Sequence, residues 1–304
     1  MKKGLTRSQI LELDIELTGT CNLSCPLCLR SYDQAQHMVQ KNIRPVEEWI
    51  EQLDQYTNLE MVYMAGSVSE PTMYKDFIPL IKYLSSRGVK MELNTNANTH
   101  DPSWWEEIGN IFTEKDRVLF TICGSSQESH EKYRVNSNLA QILEHARAFR
   151  KNAKKNDWCQ LIRFEYNELD LDSDAMKEIV SQFSWYHLIE SGPYQERFDI
   201  IDGPTDIKMR GKLAEKYSMI KGIAFERRKN GSNCEIFCPS YNRKFLSINQ
   251  FGEEFPCFLY RLHKKTGFDL SDYSDIDNFE YDFCFECESL TSDMLEKHGM
   301  ETIV

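Results

Sequence analysis

The sequence lacks any apolar run approaching the length needed to cross a bilayer, and its opening MKKGLTRSQ passes into an alternating segment rather than the apolar core of a signal peptide. A cytoplasmic protein without membrane contact is expected. Positive charge is also short: 36 Lys and Arg stand against 48 Asp and Glu, a net charge of −12. That balance disfavours an extended phosphate-binding surface, so nucleic acid is not an expected partner, and Arg227-Arg228-Lys229 reads as a solvated face. The seven histidines show no metal-ligand spacing. With 41% hydrophobic and 28% charged residues, neither a disordered nor a fibrous chain is indicated. No separate peptide-recognition domain is visible at either end, and 304 residues suit one large domain or a domain with an appendage.

Cysteine, by contrast, is plentiful. Of ten cysteines, eight fall in two regions, which in a reducing compartment reads as metal ligation rather than a disulfide framework. The first region is TGTCNLSCPLCLR, carrying Cys21, Cys25 and Cys28. It follows Leu11, Leu13, Ile15 and Leu17 alternating with Glu12, Asp14 and Glu16, the period-two pattern of a strand with one apolar and one polar face. Iron–sulfur clusters are held by thiolates, and a cubane of four irons normally takes four. A loop offering three leaves one iron open to an outside ligand. On the residues alone, a structural zinc site or scattered core thiols stay open as alternatives.

The Cys-x3-Cys-x2-Cys spacing, with Asn22 after the first cysteine and Pro26 after the second, resembles the cluster loop of the radical S-adenosylmethionine (SAM) enzymes. Leu27 stands where that family usually has an aromatic residue. The resemblance implies a [4Fe–4S] cluster whose open iron is chelated by the amine and carboxylate of SAM. Electron transfer then yields methionine and a 5′-deoxyadenosyl radical that abstracts hydrogen from a substrate.

Further along, apolar spacing alternates between strand and helix periods. A helix opened by Pro45 carries Val46, Trp49, Ile50, Leu53 and Tyr56 on one face. Strands are expected at Met61 to Ala65, Met91 to Thr95, Val118 to Cys123, Gln160 to Tyr166 and Tyr186 to Glu190. Between them come helices with Phe77, Ile78, Ile81 and Leu84, then Trp104 to Phe112, Leu139 to Phe149, and one with Met176, Ile179, Val180 and Phe183. Strand–helix repeats of this kind predict an α/β fold with a parallel sheet and right-handed crossovers. Six units are too few for an eight-stranded barrel, so a partial (β/α)6 barrel is expected, with functional loops at the C-terminal strand ends.

Several of those loops fit the same family. MAGSVSEP is similar to its glycine-then-Glu-Pro segment, which implies that Gly66, the loop backbone and Glu70 bind the SAM amine; Ser69 stands where glycine is common. Thr95, Asn96 and Ala97 match a Thr-Asn-Gly ending. In FTICGSSQESHEKYR the resemblance places Thr121 near the SAM ribose or carboxylate and makes Arg134 a carboxylate partner through its planar fork. A surface arginine at a helix start is the plain alternative. Cys123, where Asp is frequent, is a candidate catalytic residue or a core thiol. Asn167 is a further SAM contact or a capping residue, and His130 reads as structural.

From about Gly203 the rhythm stops. A helix near Asp206 to Tyr217 leads to Cys234, Cys238 and Cys257, with Phe245-Leu246-Ser247-Ile248 and a turn at Gln250-Phe251-Gly252 reading as a β-hairpin. Cys284-x2-Cys287 closes the segment after an acidic connector from Asp269 to Asp282. This region resembles the auxiliary-cluster domains of the SPASM and twitch type; with Asp293 where a further cysteine is sought, it fits the short, single-cluster form. Cys238, Cys257, Cys284 and Cys287 are the implied ligands of one auxiliary [4Fe–4S] cluster, Cys234 is a spare, and a zinc ribbon is the alternative. The expected division is a radical SAM domain over 1–202, a linker over 203–232 and an auxiliary domain over 233–304. A peptide is the first choice of substrate, oxidised with the auxiliary cluster as electron acceptor and a flavodoxin or ferredoxin as donor. The alternatives are a small-molecule dehydrogenase or, from a different class, a non-catalytic metal-binding module.

Overall fold

The computed structural model describes residues 5–25, 28, 30, 33–41, 44–153, 157–163, 173–190 and 244–255. Asn167, the helix expected near Asp206, and Cys234, Cys238, Cys257, Cys284 and Cys287 lie outside the described residues.

The strands and helices alternate along the chain. β1 (Glu12–Ile15) is followed by α1 (Val46–Asp54), β2 (Met61–Met64), α2 (Phe77–Ser86), β3 (Lys90–Thr95), α3 (Pro102–Ile111) and β4 (Arg117–Ile122). Then come α4 (Gln127–Tyr133), α5 (Leu139–Arg150), β5 (Asp157–Arg163), α6 (Asp174–Ser181), β6 (Trp185–Glu190), β7 (Phe245–Ile248) and β8 (Glu254–Phe255). The described strands form one open sheet in the order β6-β5-β4-β3-β2-β1-β7-β8, parallel throughout except for the β7–β8 hairpin. No helix among the described residues is long and apolar enough to cross a membrane.

Packing rather than propensity holds the helices. α1 has nine residues, too few to persist alone in water. It buries Trp49 and Leu53 completely, as does Tyr56 just beyond it, and full burial of such side chains contributes roughly 1.5–3 kcal/mol each. α3 starts cleanly because Asp101 Oδ1 accepts from Trp104 N at 3.0 Å and Pro102 takes the first turn. Its Trp105 reaches Phe120 of β4 at 5.5 Å between ring centres, and Phe120 reaches Phe149 of α5 at 5.9 Å. Gly109 lets α3 and α5 touch, since a methyl group there would collide with the Phe149 carbonyl.

Four features differ from the sequence expectation. The polar face of β1 is not solvated: Asp14 and Glu16 are buried along with Leu13 and Ile15, Asp14 accepting from the Ser247 hydroxyl of β7 at 3.0 Å and Glu16 from groups of the loop after β2. α4 is an additional helix, too short to show an apolar period. Arg134 consequently sits at a helix end, where its N–H donates to His130 O at 2.9 Å, and not at a helix start. Finally, the hairpin near Phe245 forms as expected, but β7 is hydrogen-bonded in parallel to β1, with Leu13 opposite Leu246 and Ile15 opposite Ile248.

Candidate active site

The cysteine loop leaves the C-terminal end of β1 and is fastened on several sides. Arg30 Nη1 donates to Gly19 O at 2.9 Å and also to Val68 O in the loop after β2. Glu70 N donates to Thr20 O at 2.8 Å. On the other side, Asn22 Nδ2 donates to Asn98 O at 3.0 Å, and Ser24 N donates to Val135 O at 3.1 Å. Gly19 is required by space, since a Cβ there would run into the Gln40 carbonyl.

Within this frame Cys25 is buried and Cys21 and Cys28 are partly buried, all packed with Leu23, Cys123 and Tyr133. Burial pushes the Cys25 thiol up to about 12 and raises Cys21 as well, and Cys28 adds to both by charge repulsion, opposed at Cys25 by Arg134. Three thiolates together are therefore unfavourable here unless a cationic group is bound among them. Among the described residues no three His, Cys, Asp or Glu side chains are grouped as ligands of a single metal ion. A donor set made only of neighbouring thiols is the chemistry that holds iron–sulfur clusters.

The loop after β2 is shaped by two buried carboxylates. Glu16, 1% exposed, accepts from Ser67 N at 3.0 Å and from Ser69 Oγ. Glu70, 2% exposed, accepts from Thr72 Oγ1 and Thr95 Oγ1 at 2.7 Å each, from Asn96 N at 2.8 Å and from Thr72 N at 3.2 Å. Burial raises the Glu70 pKa, and those donors pull against it. Its carboxylate thus ties the β2 and β3 loops together. Gly66 turns the chain at φ +58°, where a Cβ would meet the Ser69 carbonyl and Pro71.

Asn96 reaches the cysteine loop directly: its Nδ2 donates to Asn22 Oδ1 at 3.0 Å and lies 3.7 Å from Cys21 Sγ. Ala97 adopts φ +50° in the position matched to glycine, held by Thr95 Oγ1 on its N–H at 2.9 Å and by His145 Nδ1 on its carbonyl at 2.8 Å. At the end of β4, Thr121 is buried and Cys123 fully so. Arg134 Nε donates to Cys123 Sγ at 3.4 Å, and burial pushes that thiol up. His130 Nδ1 accepts from Cys123 N at 3.1 Å, so the ring proton is on Nε2, which donates to Ser137 Oγ at 2.8 Å. Burial lowers the His130 pKa to about 3, with Arg134 adding to the effect. Cys21, Cys25, Cys28, Asn96, Cys123 and Arg134 are therefore one neighbourhood, with Gly66 and Glu70 joined to it through Thr20.

The sequence matches the radical SAM superfamily over residues 15–163. The chain is a radical SAM enzyme. That match runs from the end of β1 to the end of β5 and contains every loop just described. Similar solved structures share the fold at low identity. Streptococcus suis SuiB bound to precursor peptide SuiA aligns at TM-score 0.60 and 16% identity, covering 92% of this chain and 66% of that one. SuiB bound to S-adenosylmethionine aligns at TM-score 0.60 and 17% identity over 93% and 72%. A histidine-tagged anSMEcpe with bound AdoMet aligns at TM-score 0.54 and 18% identity over 91% and 82%. The tungsten-containing aldehyde ferredoxin oxidoreductase cofactor-modifying protein of Pyrococcus furiosus is 23% identical over 271 residues, 83% of this chain and 71% of that protein. This radical SAM enzyme thus spans roughly two thirds of the peptide-bound SuiB chain.

Three groups that shape the site were not singled out from the sequence. Glu16 carried the signal of an acidic residue in a strand directly before the cysteines. Arg30, at the end of the cysteine stretch, and Asn98 carried none that separates them from ordinary loop residues.

Proposed function

We propose that this radical SAM enzyme cleaves SAM at a [4Fe–4S] cluster held by Cys21, Cys25 and Cys28 and uses the radical to oxidise a peptide. The observation that carries the reading is a loop of three thiols, one short of a closed cubane, fastened between the loops that follow β2, β3 and β4. When bound, the cluster supplies the electron that splits SAM into methionine and the 5′-deoxyadenosyl radical.

The chain's own residues bind and orient. The backbone from Gly66 to Ser69, moulded by Glu16, receives the SAM amine, while Glu70 holds that backbone against Asn96. Arg134, with Nε directed at Cys123, offers its Nη groups to the SAM carboxylate in the bidentate manner suited to guanidinium. Asn96, Thr121 and Asn167 complete the SAM contacts. Cys123 supports Arg134 and is not assigned a chemical step. The buried surroundings of Cys25, Cys123 and Tyr133 exclude water from the site where a radical must survive.

A peptide substrate is supported by the likeness in fold to SuiB, whose structure holds a precursor peptide. In this proposal the region over 233–304 holds one auxiliary [4Fe–4S] cluster on Cys238, Cys257, Cys284 and Cys287, with Cys234 spare. When bound there, the cluster would supply an acceptor for the electron released as the substrate radical closes to product, and a flavodoxin or ferredoxin would supply the reductant for the first cluster. The test is SAM cleavage by anaerobically reconstituted, dithionite-reduced protein, compared with a Cys21→Ala, Cys25→Ala, Cys28→Ala variant. Slow 5′-deoxyadenosine formation that is absent in the variant is expected; reconstituted protein with an intact cluster that neither binds nor cleaves SAM overturns the reading.

A further inference from the structure

Gln250 lies in the turn between β7 and β8 and is 1% exposed. Its Nε2 donates to two carbonyls in the connector beyond the cysteine loop, Met38 O at 3.0 Å and Gln40 O at 3.1 Å. The Gln40 carbonyl is also the group pressed against Gly19, where any side chain would collide with it. One carbonyl is therefore gripped between a carboxamide of the hairpin and the residue two positions before Cys21.

Both ends of this bridge are fixed. The turn is held by Asn249 Oδ1, which accepts from Phe251 N at 3.0 Å and Glu253 N at 2.9 Å, and by Gln52 Nε2 of α1, which donates to Gly252 O at 2.9 Å. Gly252, at φ +84°, sits against the Arg44 guanidinium, itself stacked on Trp49 at 4.5 Å. On the other side, Arg30 anchors the Gly19 carbonyl. An amide nitrogen carries two N–H groups and no charge, so it can satisfy two buried carbonyls at once. A carboxylate in its place sets acceptor against acceptor, and a methyl leaves both carbonyls without these donors.

We infer that Gln250 is a positioning residue for the SAM-binding cysteine loop, acting on Gly19 through the Gln40 carbonyl. The seating of the β7–β8 hairpin then sets the geometry of a loop more than 200 residues earlier in the chain. This rests on the reading of Cys21, Cys25 and Cys28 as cluster ligands, and adds to it a part for the hairpin that no cysteine carries.

The test uses the full chain as wild type, Gln250→Met and Gln250→Glu, with Phe251→Ser as a control in the same turn. Three readouts are taken: hydrogen exchange over residues 17–22 and 36–41 before and after anaerobic reconstitution, the electron paramagnetic resonance spectrum of the reduced cluster with and without SAM, and SAM affinity by equilibrium dialysis. Gln250→Met is expected to speed exchange in both segments, alter the SAM-dependent spectrum and weaken SAM binding roughly tenfold, with iron content and circular dichroism unchanged. Gln250→Glu does the same more strongly, and Phe251→Ser behaves as wild type. If Gln250→Met fails to fold, Gln250→Asn, one methylene shorter, serves in its place. Faster exchange confined to 36–41, with 17–22 and the spectrum unchanged, overturns the inference. Wild type that fails to bind SAM defeats the functional reading instead, and exchange at 17–22 in the iron-free chain still decides the link.

Discussion

The His130 geometry makes a quantitative claim about acid sensitivity. Its Nδ1 accepts the Cys123 N–H, so protonating that nitrogen removes an acceptor from a fully buried ring, and the folded pKa lies near 3. In the unfolded chain an imidazole titrates near about 6.5. The folded pKa is depressed, so the stabilising contribution is present above the unfolded value and is lost as pH falls toward the folded one. Between about pH 7.5 and about pH 5.5 the unfolded ring passes from roughly one-tenth to roughly nine-tenths protonated while the folded ring stays neutral. That linkage amounts to about 1.4 kcal/mol. His130→Asn keeps an acceptor near the Cys123 N–H, loses the Ser137 bond equally at both pH values, and removes the titration. Urea unfolding of the iron-free full chain, followed by tryptophan fluorescence at the two pH values, should show wild type losing about 1.4 kcal/mol more than the variant. Equal losses would refute the neutral, Nε2-protonated assignment.

Glu16→Gln places an N–H₂ against the Ser67 N–H or the Ser69 hydroxyl and should cost about 2 kcal/mol in the loop after β2; equilibrium dialysis with the reconstituted enzyme should find SAM bound more than tenfold more weakly, and unchanged affinity argues that the loop shapes itself. Gly66→Ala, at φ +58° and against the Ser69 carbonyl, is expected to abolish 5′-deoxyadenosine formation while iron content stays at wild-type level; retained cleavage removes this turn from the SAM site. Ala97→Gly relieves a left-handed alanine and should stabilise the chain by about 1 kcal/mol, read as a rise in urea midpoint with SAM cleavage intact; a lower midpoint means that the Ala97 methyl contributes more by packing than its backbone costs.

Much of the scaffold could be read from the sequence because its signals are local. The alternation before Cys21, the stripe through Trp49 and Leu53, and Pro45 just ahead of that stripe each state a conformation within a few residues. What was missed is of two physical kinds. α4 has no apolar stripe, and its clearest mark is Ser126, whose Oγ accepts from Ser129 N at 3.2 Å; a serine pair of that spacing is too common to announce a helix. The other kind is long-range: nothing near Phe245 records that it lies beside Glu12, and nothing near Gln250 records that its partners are Met38 and Gln40. Within the site, the cysteine spacing was explicit, but Glu16 was read as the polar side of a strand. Its burial goes with the loop after β2, whose Ser67 N–H and Ser69 hydroxyl close on it, which no local pattern carries. Glu70 stood out in the sequence as part of the Glu-Pro loop after β2, whereas the sharing of its carboxylate among Thr72, Thr95 and Asn96 emerges only in three dimensions.

The parallel pairing of β1 with β7 also bears on how the protein is made. Glu12 and Phe245 are neighbours in the sheet, yet a ribosome adding roughly 5–20 residues per second needs on the order of ten seconds or more to go from one to the other. Throughout that interval the nascent cysteine loop can fold against the loops after β2, β3 and β4, and lacks only the side that the hairpin supplies. Contacts closed over so long a stretch of chain form late. The hold of Gln250 on the Met38 and Gln40 carbonyls is therefore among the last contacts of the fold to close, after the rest of the frame around Cys21, Cys25 and Cys28 has been synthesised.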